Sequence, residues 1–174
     1  TIKYYMSDKN EQLTKRLDNI GTFAKDTIQE LRDTIWAMNK SGVTINDLQS
    51  RIVNFIEKAR QSYPNISISL ETGETILAAT KFTSLQGLNI FRIIQEATNN
   101  ALKYAEAGQI RIQINKYENS ILFRIEDDGN GFLEKNVEPG NGLLNMRKRA
   151  LELGCELALI SEPGNGTSVA FKVA

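Results

Sequence analysis

A carboxylate and a carboxamide four residues apart give the segment Phe91–Ala105 the clearest chemistry in the chain. Apolar residues recur there at steps of three and four, which predicts a helix. On a helix, Glu96 and Asn100 share one face, one turn apart. Such a pair can polarise a water or a hydroxyl, and it can hold a hard cation such as Mg²⁺ through oxygen. Taken alone, the pair also fits an ordinary solvated helix face.

Three glycine-rich turns follow this helix. The first, Ile125–Phe132, comes directly after an alternating apolar run that predicts a strand. The second, Gly140–Ala150, opens a predicted helix, and the backbone amides at a helix start can receive phosphate oxygens. The third, Pro163–Thr167, leads into the last predicted strand. Each Gly-x-Gly is weak evidence by itself, because hairpins use the same residues. The first two turns fit neither the P-loop nor the dinucleotide-binding fingerprint.

The order of these motifs resembles the ATP-binding domain of the GHKL superfamily, which includes sensor histidine kinases, Hsp90-type chaperones and type II topoisomerase ATPase domains. Within it, the stretches around Glu96 and Gly142 resemble the sensor kinases that partner with helix-turn-helix response regulators. The resemblance covers residues 12–174 in outline. The motifs that carry it are Glu96…Asn100, Asp127-x-Gly129-x-Gly131, Gly140-x-Gly142-Leu143 and Gly164-x-Gly166-Thr167.

The resemblance implies an adenine site built on the glycine turns. Asp127 matches the family's aspartate that accepts a hydrogen bond from the adenine amino group, a role that suits an acceptor-only carboxylate. Gly129 and Gly131 would let the backbone pass close to the base. Thr167 matches the position whose hydroxyl supports adenine, directly or through a water.

The same resemblance implies a site for Mg²⁺ and phosphate at the helix. Asn100 would coordinate the Mg²⁺ that bridges the ATP phosphates, and Glu96 would be the general base that draws the proton from the attacking histidine. Phosphoryl transfer mainly requires positioning and charge neutralisation. Lys103 is either a phosphate contact or an ordinary surface lysine. The implied phosphate cradle at the next helix start consists of Gly140, Gly142 and Leu143.

The chain of 174 residues contains no histidine. A histidine kinase moves phosphate from ATP to a histidine on the first helix of its dimerisation hairpin, so the phosphoacceptor that the resemblance implies is missing. Either the chain begins after that helix or the residue has been replaced. We expect the former, because residues 1–10 lack the acidic-Arg-x-x-His pattern of that helix. The parent protein is expected to be a protein-histidine kinase, whereas this fragment is expected to bind ATP without phosphorylating itself.

A long amphipathic helix is predicted before the ATP-binding motifs. Its apolar residues form one narrow stripe, which favours packing against a partner helix, although a helix packed on its own domain's core is the alternative. Leu31–Asn39 resembles the end of the second dimerisation helix of sensor kinases. We therefore predict two domains, residues 1–40 as the C-terminal part of the dimerisation hairpin and residues 41–174 as the catalytic ATP-binding domain, with a homodimer in the full-length kinase. The stripe is Leu13, Leu17, Ile20, Ala24, Ile28, Leu31, Ile35 and Met38.

Strands and helices alternate through the rest of the chain, and the predicted fold class is α+β. Thr44 is a predicted N-cap. Arg147 and Arg149, on the helix after Gly142, fit either phosphate contacts or pairing with acidic residues. The segment Leu133–Pro139 lacks periodicity and is interpreted as a mobile lid over the nucleotide. Helices on one face of a mixed sheet would make a two-layer α/β sandwich. The predicted strands are 66–70, 110–114, 120–126, 155–160 and 168–173, and the predicted helices are 44–62, 85–105 and 142–153.

The composition is that of an ordinary soluble domain. Lys plus Arg and Asp plus Glu number 21 each. The zero formal charge gives no electrostatic reason to expect direct contact with nucleic acid or a membrane. No apolar run approaches the length of a membrane span, and the expected location is the cytoplasm, at the cytoplasmic end of a membrane-bound sensor. Cys155 lies in an apolar run and is expected to pack in the core.

Two other function classes are open. An anti-sigma-type regulator of the same superfamily would bind a protein partner and phosphorylate its Ser or Thr residues, but it would lack the dimerisation helix predicted for residues 1–40. A stand-alone ATPase of the chaperone or repair type would need a further domain to close the lid, and the chain is short for that. The partner expected for the favoured interpretation is a response regulator with receiver and helix-turn-helix domains.

Overall fold

The computed structural model describes residues 42–73, 80–134 and 141–174, together with eight residues nearer the N-terminus. The chain divides into two units, Thr1–Lys40 and Ser41–Ala174. In the first unit the described residues are helical and exposed. Most of the long amphipathic helix predicted before the ATP-binding motifs, which spans Glu11–Asn39, lies outside the described part. These eight residues are Leu13, Ile20, Gly21, Ala24, Thr27, Ile28, Leu31 and Ile35.

The second unit is built on a mixed sheet. Its helices are α1 (Ile45–Ser62), α2 (Ser84–Tyr104) and α3 (Asn141–Glu152). Its strands are β1 (Val43–Thr44), β2 (Ser67–Thr72), β3 (Lys81–Phe82), β4 (Gln109–Tyr117), β5 (Ser120–Asp127), β6 (Ala158–Ser161) and β7 (Thr167–Val173). Five of the strands form the main sheet in the order β2-β4-β5-β7-β6. Only the β2–β4 pair of that sheet is parallel.

Alternation along the central strands places the core on one face of this sheet. The isoleucines at 110, 112 and 114 are buried, while the residues between them are not. Phe123 and Phe171 stack with their ring centroids 5.1 Å apart. The buried sides of α1 and α2 cover this face, so that apolar surface on both layers is removed from water. The predicted fold class, an α+β chain with a two-layer α/β sandwich, is confirmed.

Polar residues fix the starts of the two long helices. Thr44 accepts a hydrogen bond from the backbone N–H of Asp47, whose side chain accepts from the backbone N–H of Thr44, so the predicted N-cap is confirmed as a capping box. Thr83 and Gln86 form the same reciprocal pair at the start of α2. The second cap was not predicted, yet it fixes where the helix that carries Glu96 and Asn100 begins.

The structure differs from the predicted elements in two places. The strand predicted for 155–160 begins only at Ala158, because the chain leaves α3 through Gly154 at φ 75° and the N–H of Cys155 still bonds to the carbonyl of Ala150. Cys155 is therefore half-buried rather than in the core. The short pair β1–β3 was missed, since two residues show no periodicity.

Three sequence predictions concern parts of the chain that are only partly described. Residues 135–139 of the predicted lid, and Gly140 of the predicted phosphate cradle, lie outside the described residues. The two-domain prediction with its dimerisation helix rests largely on residues 1–41, of which the structure describes eight. Within the described residues, no helix has the length and apolar character needed to cross a membrane.

Candidate functional site

Three side chains form a row across the ends of neighbouring strands. Asp127 at the end of β5 pairs with Thr167 at the start of β7, and Thr167 pairs in turn with Ser161 at the end of β6. Side chains two residues apart on a strand face the same side of a sheet. Because Ile125 and Val169 are buried under the helices, Asp127 and Thr167 face that layer too, where the two polar side chains lie next to each other.

The carboxyl group of Asp127 lies in a setting that favours a ligand with donor hydrogens. It is half-buried, and its Oδ1 accepts a hydrogen bond from the N–H of Gly129 at 3.0 Å. Burial raises its pKa above the usual value, the backbone N–H groups of Gly129 and Thr167 work against that rise, and the charge of Asp128 adds to it. An ionised carboxylate accepts at about four lone-pair sites. Capacity therefore remains for a donor from a ligand.

The neighbouring Asp128 has a different role. It is exposed, and its Oδ1 accepts hydrogen bonds from the backbone N–H groups of Gly108 at 2.9 Å and Gln109 at 2.8 Å. These bonds hold the connection between α2 and β4 against the end of β5. Of the two adjacent aspartates, Asp128 is thus committed to the backbone, and Asp127 is the one that faces the helix layer.

The glycines after Asp127 are required by close approach of the chain to itself. A Cβ added to Gly129 would meet the backbone carbonyl of Ala105 at the end of α2. Gly131 has φ 59°, and a Cβ there would meet the carbonyls of Glu162 and Gly166. A side chain at either position would therefore push the 129–132 segment out of its place beside the Asp127 row.

Glu96, Asn100 and Gly142 come together where α2 meets the start of α3. Glu96 and Asn100 are half-buried, one turn apart on α2. A Cβ built on Gly142 would contact Glu96 Oε1, and it would lie 3.5 Å from Asn100 Nδ2. Within the described residues, neither side chain of the pair has a hydrogen-bond partner. The structure thus places two oxygen-bearing side chains beside the N-terminal turn of a helix, whose free amides favour anions.

This pair fits the requirements of Mg²⁺ bound together with a phosphate. A hard cation takes carboxylate and carboxamide oxygens, and Mg²⁺ commonly uses one or two protein ligands plus phosphate oxygens and waters. No group of three or more His, Cys, Asp or Glu residues suited to a metal occurs in the described part of the chain. Two oxygen-bearing side chains suit a metal whose other coordination positions are filled by phosphate oxygens and waters.

The remaining predicted site residues are Lys103, Leu143 and Gly140. Lys103 is exposed near the end of α2, and Leu143 is half-buried in the first turn of α3. Gly140 lies outside the described residues. Among the residues that the structure describes, no hydrogen bond or ion pair joins Lys103 or Leu143 to Glu96 or Asn100.

Both arginines of α3 are paired within the protein. Arg149 Nη1 donates to Asn89 Oδ1 at 3.1 Å, and Asn89 Nδ2 donates to Glu152 at 3.0 Å. Asn89 is 1% exposed, and its two part-buried hydrogen bonds link α2 to α3. Arg147 forms an ion pair with Glu134 at 2.6 Å. Of the two alternatives left open by the sequence, pairing with an acidic residue is observed for Arg147. Arg149 bonds instead to the neutral carboxamide of Asn89.

A family comparison identifies this arrangement. The family described as histidine kinase-, DNA gyrase B- and HSP90-like ATPase (HATPase_c) matches residues 86–174, the part of the chain that holds every residue of the candidate site. The chain belongs to this family. The resemblance to the GHKL superfamily, inferred from motif order, is therefore confirmed, and the HATPase_c domain supports ATP as its nucleotide.

Curated relatives of this HATPase_c chain are sensor proteins. The sensor protein VraS of Staphylococcus saprophyticus is 40% identical over 85 residues, which cover 48% of this chain and 24% of that protein. VraS of Staphylococcus epidermidis is 38% identical over the same length. The chain spans about a quarter of the length of these relatives, 24% in each case.

Solved histidine kinases share the fold. The histidine kinase domain of the blue-light activated histidine kinase EL346 from Erythrobacter litoralis superposes with a TM-score of 0.65 at 19% identity, over 84% of this chain and 71% of that one. The histidine kinase AdeS of Acinetobacter baumannii gives a TM-score of 0.65 at 16% identity, over 93% and 83% of the two chains. At these identities the similarity concerns the fold alone.

Sequence reasoning missed Ser161, Asn89 and Asp128 as parts of the site's framework. Ser161 joins the row only through the register of β6 against β7, and Asn89 meets its partners from 60 and 63 residues away. A usable signal existed for the aspartates, because strand alternation from Ile125 points Asp127 toward the core face and leaves Asp128 beyond the strand.

Proposed function

We propose that the chain is the ATP-binding catalytic part of a two-component sensor histidine kinase. Its role would be to transfer the γ-phosphate of Mg-ATP to a histidine on a separate dimerisation helix, from which a response regulator takes it. The observation that carries this proposal is the meeting of Glu96 and Asn100 with the start of α3 at Gly142 inside a HATPase_c domain. A base, a metal ligand and a helix start in one place are the parts that phosphoryl transfer needs.

Adenine is proposed to bind beside the Asp127–Thr167 pair. The Asp127 carboxylate accepts from the exocyclic amino group, and Thr167 supports the same edge of the base. Gly129 and Gly131 keep the neighbouring backbone close to the pair. The two strand ends are hydrogen-bonded neighbours, so this acceptor pair is already in place before nucleotide binds, which lowers the entropic cost of binding.

The phosphates are proposed to lie between α2 and the start of α3. Mg²⁺, when bound with the nucleotide, would neutralise phosphate charge. Asn100 offers it a carboxamide oxygen, and the amides at the start of α3 near Gly140, Gly142 and Leu143 offer donors to phosphate oxygens. Lys103 would add a positive charge from the end of the same helix as Asn100.

Glu96 is proposed to be the general base. Its carboxylate lies one turn before Asn100 on α2, and no described residue engages it in a hydrogen bond. It is thus available to take the proton from the attacking imidazole while the γ-phosphate is held beside it. Geometry of this kind is the first requirement for a general base.

The partners follow from the same proposal. Residues 1–40 would be the C-terminal part of the dimerisation hairpin, because the described large apolar side chains of that unit, including Leu13, Ile20 and Ile28, are at least half exposed and suit a partner helix. The full-length kinase would then be a homodimer at the cytoplasmic end of a membrane-bound sensor. The phosphate recipient would be a response regulator with receiver and helix-turn-helix domains.

Incubation with γ-labelled ATP tests this function directly. The chain should bind ATP yet stay unlabelled, because it contains no histidine. A separate helix hairpin is then supplied, in which a histidine-bearing first helix precedes a second helix equivalent to residues 1–40. Acid-labile label should appear on that hairpin. Acid-resistant label on Ser or Thr, in this chain or in an added protein, would instead favour the anti-sigma-type kinase.

Gly142→Ala is expected to reduce transfer more than it reduces stability. The added methyl would meet the Glu96 carboxylate, which is the end of a flexible side chain and can swing aside, so the fold should lose only about 1 kcal/mol or less. The displaced carboxylate would no longer face the phosphate, and transfer should fall at least tenfold, on the order expected for a misplaced catalytic group. Thermal unfolding and transfer to the supplied hairpin measure the two effects. Phosphate transfer by Gly142→Ala at the rate of the unsubstituted chain would show that the contact between Gly142 and Glu96 has no part in the reaction.

A further inference from the structure

Ser161 is the member of the strand-end row to which the proposed function gives no role. Its hydroxyl is contacted by three groups: the backbone N–H of Phe132 at 2.9 Å, the carbonyl oxygen of Gly166 at 3.1 Å and Oγ1 of Thr167 at 3.0 Å. The side chain is half-buried. It therefore joins the glycine segment after Asp127, the turn before β7 and the threonine assigned to adenine.

The chemistry of these three contacts fixes their directions. An N–H can only donate, so the Ser161 oxygen accepts from Phe132. A carbonyl can only accept, so the single hydroxyl proton of Ser161 goes to Gly166. The contact with Thr167 is then a hydrogen bond only when the threonine donates its proton to Ser161. One assignment satisfies all three contacts, and in it the Thr167 proton is held by Ser161.

This assignment determines which hydrogen-bonding groups the site presents to a nucleobase. With its proton directed to Ser161, the Thr167 hydroxyl presents only lone pairs on its other side. The Asp127 carboxylate beside it is also an acceptor. Two adjacent acceptors suit a group that brings two hydrogens, such as the exocyclic amino group of adenine or a bridging water. They disfavour a carbonyl oxygen such as O6 of guanine, which would face two acceptors without a hydrogen between them.

We propose that Ser161 is a positioning residue that fixes the hydrogen-bond direction of Thr167 and so contributes to the selection of adenine over guanine. This rests on the proposed function, since it assumes that the base lies beside Asp127 and Thr167. Ser161 acts through Thr167 and need not touch the nucleotide. Without the serine, the threonine hydroxyl is free to turn and donate, which would suit guanine as well as adenine.

The test is the ratio of the dissociation constants for GDP and ADP, measured by calorimetry on the 174-residue chain. Ser161→Ala should lower this ratio about fivefold, the scale of one neutral hydrogen bond. Ser161→Thr keeps the hydroxyl and should preserve the ratio. Thr167→Val should lower the ratio by itself, and adding Ser161→Ala to it should change the ratio no further, because the two residues act as one unit.

Four results bear against the proposal. If Ser161→Ala lowers the melting temperature and weakens ADP and GDP equally, the serine is only structural and the proposal is overturned. If that variant does not fold, Ser161→Cys nearly keeps the volume but offers the Thr167 proton a much weaker acceptor, and an unchanged ratio in it overturns the proposal equally. Failure of the unsubstituted chain to bind ADP would overturn the proposed function as well. If the unsubstituted chain binds ADP, but Ser161→Ala and Ser161→Cys leave the ratio of the GDP and ADP dissociation constants unchanged, only the role of Ser161 is overturned.

Discussion

Asp127→Asn is expected to weaken ADP binding to the chain by about 10- to 150-fold, because a hydrogen bond to a charged acceptor is worth about 1.5–3 kcal/mol. The substitution keeps the size of the side chain. It removes the charge, and one of the two acceptor oxygens becomes a donor that would face the adenine amino group. Calorimetric titration with Mg-ADP measures the change, and thermal unfolding establishes that the variant is folded.

Asp128→Asn is the matched control for this prediction. Its carboxylate accepts from the backbone N–H groups of Gly108 and Gln109 and does not face the helix layer. The control should therefore change the stability of the fold more than the affinity for ADP. An unchanged dissociation constant in Asp127→Asn, or an equal loss of affinity in both variants, would remove Asp127 from the adenine site.

The pH dependence of the same titration reports on the same carboxyl group. Burial raises the pKa of Asp127 above its ordinary value of 3.8. ADP affinity should fall as the pH is lowered through this raised pKa, and Asp127→Asn should lack that component. For the free protein the sign is opposite, since the folded state binds the proton more tightly than the unfolded state. The stabilisation from Asp127 is full below the unfolded-state pKa and is lost as the pH rises through the folded-state pKa.

Glu96→Gln should separate chemistry from binding. The amide keeps the shape of the carboxylate but cannot take a proton, and loss of a general base typically costs about 10²–10⁴ in rate. The affinity for Mg-ADP should stay nearly unchanged, since no part of the proposed adenine or phosphate contacts is removed. Transfer of labelled phosphate to a supplied histidine hairpin, at saturating ATP, measures the rate.

Asn100→Ala is the comparison variant for Glu96→Gln. Asn100 lies on the same helix face as Glu96, yet loss of its side chain should change the magnesium dependence of ATP binding, because the carboxamide is the proposed metal ligand. Glu96→Gln should therefore change the transfer rate, and Asn100→Ala should change nucleotide binding. Wild-type transfer by Glu96→Gln would mean that another group, or the substrate itself, takes the proton.

Most of the framework could be predicted because it depends on local periodicity. Alternation in β4 and β5 and the helical spacing of α2 follow directly from which residues are apolar. Thr44 was predictable as a cap because its hydroxyl bonds a backbone group three residues away. The prediction that Glu96 and Asn100 share one face likewise depends only on the periodicity of the helix that carries them.

The details that assemble the site depend on contacts distant in sequence. Gly142 meets Glu96 only because α2 and α3 pack at a particular position, and the part-buried Asn89–Arg149 contact that links those helices spans 60 residues. Ser161 reaches Thr167 through the register of a hairpin whose turn length sets the pairing. These relations come from packing and register, which no local pattern of residue types encodes.

Titration of the unsubstituted chain with ATP and with GTP, each with Mg²⁺, tests the central claim most directly. The claim is that an adenine nucleotide binds beside Asp127 and Thr167 with its phosphates toward Glu96, Asn100 and Gly142. Saturable binding of one ATP per chain, clearly tighter than GTP and weakened without Mg²⁺, is the predicted result. No binding of ATP, or binding of GTP as tight as that of ATP, would contradict the account.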